Sequence, residues 1–258
     1  MVPLRRSIES AGAPGRTVPG FNLPKGVSPL VPIIIAGLTT GSNEQREQAA
    51  YAIGDLVERT DEAAIKPFVV PFTGPLIRVA TQATTYPPGV KIAILSALTT
   101  MLEIIPAFLK PFFPQLQRTF VKSASDPAAS NIRGRAARGL GVLMKHQPRV
   151  DPVISELVTS ANSSEDEGVA TSLILALAYV VFNARANVGD KARELCVELI
   201  SAAFKRVHGG KQAICFHGDG LSFGFAEHYS EAVGDLVVAL SDKPDLLEPV
   251  IKCVSLVG

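Results

Sequence analysis

A helical register that recurs down the chain at intervals of about 40 residues is the strongest constraint on its fold. Read from Gln45, Val90, Ile132 and Val169, a small residue and then an aliphatic one stand seven and eight places on: Ala52-Ile53, Ala97-Leu98, Gly139-Leu140 and Ala176-Leu177. Leu56-Val57, Met101-Leu102, Leu143-Met144 and Val180-Val181 follow at places eleven and twelve. Places 4, 5, 7, 8, 11 and 12 fall on one stripe of a 3.6-residue helix, so each copy is one helix with a buried face. Such a chain folds as an array of stacked units sharing a continuous core.

Each registered helix has a partner before it, which makes the unit a helical hairpin. Ser28 with Pro29 predicts a capped first helix that turns at Gly41, and Asn43 is expected to cap the helix that returns. Lys66-Pro67-Phe68 opens the second hairpin, and Lys110-Pro111-Phe112 opens the third 44 places later. Asp151-Pro152 opens the fourth, with Asp as cap and Pro in the first turn. A fifth begins near Gly189-Asp190, and its second helix repeats Ala52-Ile53-Gly54-Asp55-Leu56-Val57 as Ala232-Val233-Gly234-Asp235-Leu236-Val237. That last register starts at Phe225, so successive starts lie 45, 42, 37 and 56 residues apart. Residues 207–226, without helical period, account for the long interval and read as an insertion: a surface loop or a translated intron. Residues 1–27, rich in Pro, Gly and Ser, read as an extended or disordered lead-in before an array over 28–258.

A net charge of +1 gives no global attraction to nucleic acid or anionic membrane, so any electrostatic function is local. No sequence-specific nucleic-acid contact is expected. Cys196, Cys215 and Cys253 are too few and too scattered for a disulfide framework, which suits a reducing, cytoplasmic setting. The apolar run from Val169 to Phe182 is interrupted by Thr171 and Ser172 and falls short of the roughly 18 residues of a spanning helix, so no membrane partner is expected.

Catalytic and cofactor chemistry finds little footing. Cys215, His217 and Asp219 have metal-capable side chains, but a zinc site needs three or four converging ligands and no second pair is suitably spaced. Gly218-x-Gly220 lacks the third glycine of a dinucleotide loop, and Gly209-Gly210-Lys211 is followed by Gln212 rather than a hydroxyl residue. His146, His208, His217 and His228 have no nucleophile in a recognisable setting. No enzyme activity, metal or cofactor is expected.

Charge concentrates in the third repeat. Arg135, Arg138 and Lys145 sit opposite the Ile132, Ala136, Leu140 and Leu143 stripe and are expected to face solvent. With Arg149 in the next turn and Arg118 and Lys122 on the preceding helix, they form the densest basic surface of a nearly neutral chain. That surface is either a solvated helix face or a dock for an acidic partner.

Asp126, followed seven places later by Arg133 in Ile132-Arg133-Gly134-Arg135-Ala136-Ala137-Arg138-Gly139-Leu140-Gly141, resembles the HEAT-repeat signature. The resemblance implies an all-α, HEAT/armadillo-type solenoid of about five helical hairpins, with Asp126 and Arg133 as a structural ladder between turns. Further segments narrow it: Pro19-Gly20-Phe21-Asn22-Leu23-Pro24, Thr73-Gly74-Pro75-Leu76-Ile77-Arg78, Leu109-Lys110-Pro111-Phe112-Phe113-Pro114-Gln115-Leu116 and His146-Gln147-Pro148-Arg149-Val150-Asp151. Together these resemble the C-terminal part of the very large translational activator of general amino acid control. The resemblance implies a scaffold fragment that binds the RWD domain of the starvation-responsive kinase of initiation factor 2 alpha. Ribosome association would then come indirectly, through parts of the family protein outside this chain. Since RWD domains of that kinase tend to be acidic, Arg118, Arg135, Arg138, Lys145 and Arg149 are the expected contacts. A generic HEAT scaffold of karyopherin or phosphatase-scaffold type is the alternative.

Overall fold

The computed structural model describes residues 17–82, 86–208 and 231–248. Nine long helices carry the architecture among the described residues: α1 Val31–Thr40, α2 Asn43–Glu58, α3 Val69–Thr81, α4 Pro88–Ile104, α5 Phe113–Ala124, α6 Ser130–Met144, α7 Asp151–Ser163, α8 Glu167–Ala184 and α9 Asp190–His208. Residues 231–239 are also helical, and no strand occurs among the described residues. The fold is an all-α, HEAT/armadillo-type helical-hairpin repeat. The chain divides into two compact units, residues 1–122 and 123–258.

In the first unit, α1 pairs with α2 and α3 with α4, while α1 stacks on α3 and α2 on α4, which gives one layer of first helices and one of second helices. The repeated register places explain the second layer: Ala52, Ile53, Leu56 and Val57 on α2 and Ala97, Leu98, Met101 and Leu102 on α4 are all buried. Small residues at the seventh place let the backbones approach, and the aliphatic ones fill the space between layers. The repeated Lys-Pro-Phe tripeptides become repeated 3-10 turns at Lys66–Phe68 and Lys110–Phe112, each entered through a single helical turn, Glu62–Ile65 or Pro106–Leu109. Lys66 Nζ lies 5.3 Å from the centre of the Phe108 ring.

The second unit repeats the plan, with α7 paired to α8, α6 stacked on α8 and α7 stacked on α9. Arg133 on α6 donates from Nε to Ser172 Oγ on α8 at 2.8 Å, and farther along Gly141 lies against Tyr179. The order of those two contacts makes α6 and α8 run parallel.

Several ends differ from the sequence expectation. The first helix starts at Val31 with Pro32 in its first turn, and Ser28 lies in the preceding turn rather than capping it. Ser42, not Asn43, caps α2, in a reciprocal box with Gln45: Ser42 N–H donates to Gln45 Oε1 at 2.9 Å and Gln45 N–H to Ser42 Oγ at 3.3 Å. Asp151 does not cap α7; its Oδ1 accepts the Gly189 N–H at 2.9 Å, tying that turn to the next repeat. Of the lead-in, residues 1–16 lie outside the described residues. Residues 17–27 include a 3-10 turn at Pro19–Asn22 and the buried Val27, and Asn22 Nδ2 donates to Asp61 at 2.6 Å. Residues 209–226 of the expected insertion also lie outside the described residues, and Val207 and His208 close α9.

Two helical stretches, Glu62–Thr81 and Glu167–Asn187, are long and apolar enough to cross a bilayer, which corrects the reading that the second is too short. Thr171 and Ser172 do not end the helix because their hydroxyls donate to the carbonyls of Glu167 and Gly168 at 2.8 Å each. In the structure the apolar sides of α8 are covered by α6 and α7. A helix packed both on its neighbour in the same layer and on its hairpin partner needs more than one apolar side.

Candidate partner-binding surface

The basic residues divide into two chemical roles. Arg46 and Arg133, each one place past a register start, serve the fold. Arg46 Nη1 donates to the carbonyls of Leu38 and Thr39 at 2.6 and 2.8 Å, closing the end of α1, and its guanidinium stands 5.0 Å over the Tyr86 ring. Arg133, only 8% exposed, donates from Nη1 to the Asp126 carbonyl at 3.0 Å as well as to Ser172. Asp126 Oδ1 accepts the Ala128 N–H at 2.8 Å, which shapes the turn. In both repeats an arginine supplies donors to carbonyls at the end of the preceding segment, where helical partners have run out.

The remaining basic residues of the third repeat face outward. Arg138, Lys145 and Arg149 are exposed and Arg135 is half-exposed, all in the second unit; Arg118 and Lys122 are exposed on α5 in the first unit. On α6, Asn131, Arg135, Arg138 and Val142 follow one stripe opposite the buried one, Lys145 continues it from the C-cap, and Arg149 lies in the turn that follows. The structure thus brings together Arg135, Arg138 and Lys145 on one helix face.

Two aromatic residues beside that stripe were not singled out within the apolar run from Val169 to Phe182. Tyr179 and Phe182 on α8 are 37% and 52% exposed. The signal was present in the register: they occupy places 10 and 13 of their repeat, as Val142 and Lys145 do in α6. Arg185 covers one face of the Phe182 ring at 4.5 Å, and Asn183 Nδ2 donates to the Tyr179 carbonyl at 2.8 Å. Gly141 fixes the spacing of the two faces, since a Cβ there would stand 2.8 Å from Tyr179 Cβ and 2.9 Å from its carbonyl oxygen.

A buried ionic clamp was also not legible in advance. Arg193 is 2% exposed and donates from both terminal nitrogens to Asp242, at 2.7 and 2.9 Å, and to the Arg185 carbonyl at 2.7 Å. The hydrogen bond from Arg193 holds the Asp242 carboxyl below its ordinary range. Lys243 pairs with Asp190 and lowers that carboxyl too. Nearby Cys196 is buried, and loss of hydration pushes its thiol up to about 12, which leaves it unreactive near neutral pH. Among the described residues no three His, Cys, Asp or Glu side chains are grouped to hold a metal ion; Cys215, His217 and Asp219 lie outside them.

What these faces offer is recognition by charge and shape. No family model matches the chain. The protein of Saccharomyces cerevisiae named eIF-2-alpha kinase activator GCN1 is 46% identical over 198 residues, which is 77% of this chain and 7% of that protein. Over that stretch the chain is GCN1-related. The human stalled ribosome sensor GCN1 is 40% identical over 187 residues, 72% of this chain and 7% of its own length. Protein ILITYHIA of Arabidopsis thaliana is 42% identical over 183 residues, again 7% of its length. The chain therefore corresponds to a short segment of each GCN1 relative. An engineered protein of known crystal structure shares the fold, with a TM-score of 0.52 at 14% identity over 92% of this chain and 89% of that one.

Proposed function

We propose that this chain is a non-enzymatic docking segment that binds the RWD domain of the starvation-responsive kinase of initiation factor 2 alpha and supports its activation on ribosomes in the cytoplasm. The observation that carries the reading is the Arg135, Arg138 and Lys145 stripe, an outward basic face on a chain of net charge +1. The names of the GCN1 relatives, a kinase activator and a stalled ribosome sensor, support the direction of the reading. Arg149 extends the face, and Arg118, on the first unit, is a separate candidate contact. Arg133 supports the helix through Ser172 and the Asp126 carbonyl rather than touching the partner. Ribosome contact comes through parts of a longer protein. Holding the kinase there raises its effective concentration near the stalled complex, without any chemistry performed by the scaffold.

The test is a titration of the isolated RWD domain against the full chain at low and high salt, with an Arg135→Glu/Lys145→Glu variant whose helicity is checked by circular dichroism. Binding by the wild type, weakened by salt and about tenfold or more by the double reversal, is the expected result. No binding by the folded wild type overturns the kinase reading; equal binding by the folded variant overturns the choice of face.

A further inference from the structure

We propose that α6 and α8 form one two-part dock for an acidic amphipathic helix, with the α6 basic stripe reading charge and Tyr179 and Phe182 of α8 receiving the apolar side. This deepens the proposed kinase-binding reading and rests on it for the identity of the partner, but it makes a separate claim about the chemistry recognised.

The two helices run parallel, and the Gly141 to Tyr179 contact brings their backbones close. Arg138 and Lys145 stand three residues before and four after Gly141, so both basic groups flank the point where α8 touches α6. Phe182 is one turn beyond Tyr179 and more than half exposed, with Arg185 stacked on one face of its ring. A row of cations and a row of aromatics therefore lie side by side, separated by one helix-packing distance, about 8–10 Å. Aromatic residues and arginine are the side chains that dominate binding energy at protein interfaces.

The occupant follows from backbone chemistry. Among the described residues there is no sheet edge to which a strand could add. A helix needs no backbone partner, and its diameter of about 10–12 Å matches the width of the paired rows. Charge complementarity makes its face toward α6 acidic, and the exposed rings make its face toward α8 apolar.

The experiment uses the full chain with two probes: the isolated RWD domain, and a synthetic peptide of about 18 residues with Leu along one helical face and Glu on the remainder. Variants are Tyr179→Ser/Phe182→Ser and, in case the pair disturbs packing, Phe182→Ser alone; circular dichroism checks both. The expected result is at least about a tenfold loss of affinity for both probes with the salt dependence kept, while Arg135→Glu/Lys145→Glu flattens that dependence. If the folded aromatic variants bind both probes like wild type, the two-part dock is overturned. Binding of the peptide through Tyr179 and Phe182 without binding of the RWD domain keeps the dock and removes the kinase. Binding of the RWD domain, undiminished in the aromatic variants, keeps the kinase and removes the dock.

Discussion

Arg193 shows how much depends on single side chains in this fold. Its guanidinium is withdrawn from water, and Asp242, 28% exposed, supplies an anionic partner at 2.7 Å. Asp242→Asn keeps the shape and removes the charge, with an expected cost of about 1–2 kcal/mol at neutral pH, measured by urea unfolding. The sign with pH follows from the lowered carboxyl: the stabilisation is present above the unfolded value of about 3.9 and is lost as pH falls through the folded one. Glu58 works in the opposite sense. Burial, then the charges of Asp55 and Glu103, raise its carboxyl against the lowering effect of Arg59. Its favourable contribution is present below the ordinary value and lost as pH rises through the raised one. Glu58→Gln should therefore raise the melting temperature at neutral pH and leave it unchanged in acid, a difference that thermal unfolding at the two pH values reads directly. None of this was legible in the sequence. Period and pattern say which side of a helix is buried, but Arg193 and Asp242 are 49 residues apart and carry no local mark of their pairing.

At the scale of elements, the glycines of α6 separate two physical effects. Gly134→Ala meets nothing within 4 Å, so it should stabilise by about 0.5–1 kcal/mol through the lower backbone entropy of alanine in a helix. Gly141→Ala gains the same term but forces α8 away at Tyr179, and a net loss of about 1–2 kcal/mol is expected. Opposite signs in the two unfolding curves would confirm that Gly141 holds α6 against α8; equal stabilisation would mean the helices part without cost. The hairpins themselves were legible because apolar periodicity and the repeated Lys-Pro-Phe turns agree. Their ends were not. Ser42 and Asn43 both make good caps, and only the geometry of Gln45 decides for Ser42. Asp151 before Pro152 has the form of a helix start, yet its carboxylate bonds the Gly189 N–H. Tyr179 and Phe182 were hidden by composition, since the surrounding run is apolar enough to read as core throughout.

At the scale of the molecule, a nearly neutral chain with one outward basic stripe should associate through local charge, and its binding should weaken steeply with salt. The helical repeats supply the rigid surface on which that stripe is displayed. The basic stripe of the proposed dock was legible because α6 concentrates arginine opposite an apolar face; the exposed rings beside it became visible only with α8 in place. Hydroxyl-radical footprinting of the full chain with and without the isolated RWD domain tests the account most directly. Oxidation of Tyr179 and Phe182 should fall in the complex while that of the exposed Leu23 and Val70 stays the same. Unchanged Tyr179 and Phe182, or protection confined to Leu23 and Val70, would contradict a partner docked across α6 and α8.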